Sequence, residues 1–202
     1  MNGYSDAIDH AFAFAAKHHD QEVRKGTRLP YLISAPNVAV ILARFGQDDA
    51  TVVTAILHGA IEDFVRDGYT SEMLHRRIGD KFGEDVLETA LSIVERRLDD
   101  DGVELSPEER KADLLARLGK AAPRARWVAA AITLHAAGTL LANIRRTQFP
   151  ESVWGRFAAG REGTISWYRD VGRRLRDGSF DAPILGEIDA IVRDLEGYRE
   201  AP

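Results

Sequence analysis

Ile56-Leu57-His58-Gly59-Ala60-Ile61-Glu62-Asp63 is the stretch on which the reading of this chain turns. Its apolar residues fall at Ile56, Leu57, Ala60 and Ile61, a helical spacing rather than the alternation of a strand. On a helix, His58 and Glu62 are four residues apart and share a face, with Asp63 adjacent to it. A histidine followed one turn later by two acids can bind a divalent metal or position a water. The same pattern also serves a buried histidine paired with an acid for purely structural ends, and this helix alone leaves both open.

Outward from this segment the chain reads as helices throughout. Ile8, Phe12, Ala15, Ala16 and His19 share a face of a first helix. Ser34 is placed to cap a second, with Pro36 in its first turn and Gly46 after its end. Asp48 or Asp49 caps the third, which holds His58 and runs to about Phe64. Thr70 or Ser71 starts a short fourth that stops near Gly79. Gly83 opens a fifth, whose buried stripe is Val86, Leu87, Ala90, Leu91 and Val94. Ser106-Pro107-Glu108-Glu109 is a capping box leading to Gly119. Further helices are expected from Arg124 to about Arg146, from about Glu151 to Arg176, and after Pro183. No alternating run marks a strand and no repeat or linker is visible, so the expected architecture is an all-α helical bundle forming a single domain over 1–202. The helix at 183–198 is expected to pack on the rest.

Composition narrows the function classes. The 202 residues are 45% hydrophobic and 29% charged, ordinary for a chain with a packed core. A formal charge of −5 gives no overall basic footprint for duplex nucleic acid. The chain has no cysteine, which excludes disulfides, thiolate metal sites and cysteine nucleophiles and suits a reducing cytoplasm. No signal peptide is visible at the N-terminus, and the expected location is cytoplasmic. Trp127 to Ile144 carries no formal charge, but its alanines, Thr133, His135 and Asn143 fit a buried central helix better than a membrane span.

A second cluster is Arg24-Lys25-Gly26, followed by Pro30-Tyr31. Two cations, a glycine and an aromatic suit a phosphorylated nucleotide, the cations taking phosphate and a ring or guanidinium plane stacking. Taken alone, the segment reads first as a solvated loop between two helices.

Taken in order, the segments form a pattern: His19 to Gly26, Pro30 to Ala39, His58 to Asp63, Phe82-Gly83-Glu84, Glu109-Arg110-Lys111, Ala130 to Ala136, Arg156 to Glu162 and Trp167-Tyr168-Arg169. Over roughly Ala7 to Arg176 this resembles the HD-domain small alarmone hydrolases, relatives of the hydrolase half of the bifunctional (p)ppGpp synthetase/hydrolases. The resemblance implies an HD-domain helical bundle. It also implies removal of the 3′-pyrophosphate of the alarmone by one Mn²⁺ held by two histidines and two aspartates. Carried over, the four ligand positions fall on Ser34, His58, Gly59 and Ile132, so only His58 is a ligand. The lysine and asparagine of the last segment fall on Thr133 and Ala136, and an arginine two beyond falls on Gly138. The acid pair that orients or activates water survives as Glu62-Asp63. The substrate-side residues survive as Arg24 and Lys25, with Tyr31 nearby, although the preceding Gly-Gln has become Gln21-Glu22.

Hard divalent ions prefer carboxylates, and two are absent. No cofactor is therefore expected, neither the family's Mn²⁺ nor another metal, with His58 a remnant ligand. Ile132 fills its place with hydrocarbon, whereas Gly59 either reflects drift or leaves room for a ligand or another side chain. Three functions follow. The first is a degenerate pseudoenzyme that binds a guanosine nucleotide through Arg24, Lys25 and Tyr31 without hydrolysing it by the metal route. The second is an active 3′-pyrophosphohydrolase with a metal rebuilt from His58, Glu62 and Asp63, with His19 or His135. The third is a protein-interaction scaffold with a filled cleft.

Overall fold

The computed structural model describes residues 5–23 and 29–198; Arg24 and Lys25 lie outside the described residues. The chain is all-α, and no strand occurs among the described residues. It runs through α1 (Asp6–His18), a 3₁₀ turn (Tyr31–Ile33), α2 (Ser34–Arg44), α3 (Asp49–Arg66), α4 (Ser71–Leu74), α5 (Asp80–Phe82) and α6 (Glu84–Leu91). Then come α7 (Pro107–Leu118), α8 (Pro123–Arg146), α9 (Pro150–Trp154), α10 (Gly160–Asp177) and α11 (Pro183–Gly197).

The helix starts follow local chemistry. Asp48 accepts the Thr51 amide at 2.8 Å and so caps α3. Ser106 and Glu109 close the capping box of α7, at 2.8 and 3.3 Å. Proline stands at the first position of α7, α8, α9 and α11, where its missing amide has no intrahelical partner to lose.

α3 is the hub. It packs against α1, α2, α6 and α8, and α11 covers α8 and α10. Being surrounded explains why 11 of its 18 residues are buried, including Ile56, Leu57, Ala60 and Ile61. α8 is long and apolar enough to cross a bilayer, and half of its most apolar stretch is buried inside this bundle.

Four boundaries differ from the sequence reading. Ser34 is the first helical residue of α2 and not its cap, because the 3₁₀ turn feeds straight into the helix and gives it helical angles. The fourth helix does not stop near Gly79. A π-turn over His75–Gly79 joins α4 to α5, and the chain breaks at Gly83, whose φ of 100° suits glycine. α6 ends at Leu91, so Val94 is buried from the following loop. The single helix expected from about Glu151 to Arg176 is two, because Gly160 takes a φ of 62° where α10 begins.

Candidate functional site

The α3 hub, the 3₁₀ turn, α2 and α8 enclose a cavity of about 160 Å³. Ser34 from α2, His58 and Gly59 from α3 and Ile132 from α8 all line it. Tertiary packing therefore brings the four positions of the resemblance to one place. His58 and Glu62 line the same wall from adjacent turns of α3, and Tyr31 closes one side. His58 Nε2 lies 3.5 Å from the carbonyl oxygen of Ile93, a long contact.

The donor set does not fit the Mn²⁺ that the resemblance implies. Ser34 offers a hydroxyl, Gly59 nothing and Ile132 hydrocarbon, which leaves one imidazole. The space beside Gly59 is in use. A β-carbon there would stand 3.2 Å from Tyr31 Cε1 and 3.4 Å from His19 Nε2. Of the two readings of Gly59, the structure supports room for other side chains: the Tyr31 and His19 rings, tilted to each other with centroids 4.7 Å apart, stand where an aspartate would project.

Glu62 and Asp63 part company. Glu62 faces the cavity, whereas Asp63 does not line it and turns toward the end of α1, a consequence of the 100° between successive helical residues. His58, Glu62 and Asp63 share α3, but Asp63 leaves the cavity that the other two line. Its carboxylate is buried, 6% exposed, and receives His18 Nε2 at 3.1 Å and Arg66 Nη2 at 2.6 Å. His19 Nδ1 stands 3.7 Å from the same Oδ2 and 2.8 Å from Glu22 Oε2. Ligand atoms of His18, His19, Glu22 and Asp63 thus lie within 4.8 Å of one another. His58 and Glu62 do not join this group. The sequence reading missed His18 and Glu22. Their signal was a His-His pair ending a helix with an acid three residues on.

The local field is acidic. Burial, and then the carboxylates of Glu62, Asp63 and Glu22, push the Tyr31 phenol up to about 12, with Arg66 opposing. Burial and Glu62 likewise raise the Glu95 carboxyl, against Lys111 and Arg110. An anionic ligand entering here needs cations. Arg24 and Lys25 are the sequence's candidates.

Beside the cavity a groove of about 380 Å³ runs along α2 and α8 and shares His135 with it. Asn37, Thr139, Asn143 and Arg146 give the groove polar edges, and Leu29 and Ile33 an apolar one. The groove alone falls within the size range of small-molecule sites, about 300–1,000 Å³.

The family profile described as HD domain matches residues 11–165. A guanosine-3′,5′-bis(diphosphate) 3′-pyrophosphohydrolase of Aquifex aeolicus is 35% identical over 83 residues, covering 41% of this chain and 11% of that protein. A GTP pyrophosphokinase of Myxococcus xanthus is 32% identical over 108 residues, covering 54% and 13%. The match thus spans only about a tenth of the length of these curated relatives. Among solved structures, lmo0812 of Listeria monocytogenes EGD-e aligns at 25% identity with a TM-score of 0.64 over 79% of this chain and 96% of that one. A structure described as a metazoan ortholog of SpoT that hydrolyses ppGpp aligns at 24% identity with a TM-score of 0.72 over 98% and 99%, a likeness of fold.

Proposed function

We propose that this chain, which belongs to the HD domain family and within it is (p)ppGpp-hydrolase-like, is a pseudoenzyme that holds a guanosine nucleotide without the family's metal centre. One observation carries the reading. Ser34, His58, Gly59 and Ile132 converge on one cavity, yet only His58 retains a metal-ligating side chain. A hydrolytic ion polarises a phosphoryl oxygen and lowers the pKa of its water, and it needs several strong ligands to stay bound. The four positions keep one imidazole, and among the described residues Glu62 and His135, which also line the cavity, form no ligand group with it.

Nucleotide binding is the part of the family's chemistry that can outlive the metal. Arg24 and Lys25 remain, Tyr31 stands at the cavity wall, and the groove beside it has room and polar edges. Charge-assisted hydrogen bonds neutralise phosphate where an ion does not. The acidic wall at Glu62 makes those cations necessary rather than merely favourable. The chain is read as one domain over 1–202 acting in the cytoplasm, with no duplex nucleic acid or membrane as partner.

The test is calorimetric titration of guanosine tetraphosphate into the protein in chelator, alongside a turnover assay with added Mn²⁺. Binding without turnover is the expected result. Turnover abolished by His58→Ala would restore the hydrolase reading. No heat at millimolar nucleotide would remove nucleotide binding and favour the scaffold.

A further inference from the structure

We propose that His18, His19, Glu22 and Asp63 form a divalent transition-metal site of the zinc class, at the junction of α1 and α3 and separate from the His58 position. The sequence reading expected no metal cofactor, on the ligands lost around His58; this group uses other residues, of which only His19 lines the cavity that His58 faces.

The donor chemistry comes first. Two imidazoles and two carboxylates form a mixed nitrogen–oxygen set that suits Zn²⁺ or a neighbouring borderline ion, and not Mg²⁺ or Ca²⁺, which want oxygen throughout. In a tetrahedral site with bonds near 2.1 Å, ligand atoms stand roughly 3.4 Å apart. Here His19–Glu22, His18–Asp63 and His19–Asp63 are separated by 2.8, 3.1 and 3.7 Å, and all four ligand atoms lie within 4.8 Å of one another. Small side-chain shifts close the set around an ion.

The surroundings hold the ligands in place. The His18 ring packs edge-on to Phe64, with centroids 4.7 Å apart, and the His19 ring packs against Tyr31. Arg66 takes Asp63 Oδ1, which leaves Oδ2 turned toward both imidazoles. Such outer contacts fix the orientation of ligands around a metal. His19 and Asp63 are buried, at 4% and 6% exposed, while the Glu22 side chain is 42% exposed. The site is thus closed on the protein side and open for entry at Glu22.

Charge points the same way. Asp63 and Glu22 bring two carboxylates to the group, and Arg66, on the rim, pairs with Asp63 Oδ1. A divalent ion would offset that charge, which matters most for Asp63, the buried carboxylate of the two.

The position gives the ion a task. The Glu22 carbonyl accepts the Tyr31 amide at 2.9 Å, and Val23 pairs with Pro30. An ion on Glu22 would tie α3 and the end of α1 to the base of the segment that carries Arg24 and Lys25.

The experiment uses tag-free full-length protein, stripped with chelator and titrated with Zn²⁺ against a chromophoric competitor. Co²⁺ is added separately to read its tetrahedral absorption bands. One equivalent is expected to bind. His19→Ala and Asp63→Asn should weaken it by about a hundredfold or more, and Glu22→Gln, at an exposed carboxylate that leaves the fold intact, by about tenfold. His58→Ala should leave it unchanged. No uptake of Zn²⁺ or Co²⁺ by the folded wild type would overturn this site and leave the proposed function standing. Binding lost on His58→Ala and kept on Glu22→Gln would overturn both.

Discussion

His19 Nε2 stands 3.4 Å from the point where a side chain on Gly59 would begin. The glycine on α3 and the histidine at the end of α1 are thus one arrangement. With no side chain at 59, the His19 and Tyr31 rings occupy the wall that a carboxylate would take.

Gly59→Ala should change stability by less than about 1 kcal/mol. Alanine gains about 0.5–1 kcal/mol of helix preference, and this offsets the tight 3.2 Å approach to Tyr31 Cε1. Gly59→Asp should displace the Tyr31 ring and still bind no Mn²⁺ at His58, since Ser34 and Ile132 add no strong ligand. Thermal melts and metal analysis of both variants check this, and stoichiometric Mn²⁺ on the aspartate variant would contradict it.

Arg24→Ala should weaken guanosine tetraphosphate binding by about 1.5–3 kcal/mol, roughly ten- to a hundredfold, with Lys25→Ala similar. The effect should be the same in chelator as without it. Calorimetry reads both. An affinity indifferent to Arg24 would mean that phosphate is held by other groups.

Ser106→Ala should cost about 1 kcal/mol by opening the capping box, because the Glu109 amide loses its acceptor. Hydrogen bonding to Ser106 also holds the exposed Glu109 carboxyl below its ordinary range. Urea unfolding with an unchanged slope would confirm a change of stability alone.

Asp113 should govern part of the acid sensitivity. Burial pushes its carboxyl up, but hydrogen bonds from Arg96 and Arg117 outweigh this and hold it below the usual 3.8. The folded value is thus the lower one. Its contribution is present above the unfolded value and disappears as pH falls through the folded one. Asp113→Asn should lower stability at neutral pH and flatten its fall in acid. Denaturant titrations at both ends of that range test the slope. Arg117 also donates to the carbonyls of Ser92 at 2.7 Å and Val94 at 2.6 Å, so the same pair anchors the loop after α6.

Much of the fold was legible in the sequence because it rests on local chemistry. The spacing of Ile56, Leu57, Ala60 and Ile61, the Asp48 cap and the Ser106–Glu109 box act within a few residues, so chain order alone reveals them. The losses at Ser34, Gly59 and Ile132 were legible as losses for the same reason: a missing ligand is a matter of residue type. The boundaries that differed depended on backbone angles. Gly160 splits one helical pattern in two, and nothing in its residue type distinguishes it from Gly163, which lies inside α10. The convergence of α2, α3 and α8 on one cavity, the filling of the Gly59 wall by Tyr31 and His19, and the meeting of Asp63 with His18 some 45 residues away were decided only by tertiary packing. Residue type and short spacing carry local propensity. Helical periodicity fixes the side of α3 on which Asp63 stands, but what it meets there depends on the helix packed against it.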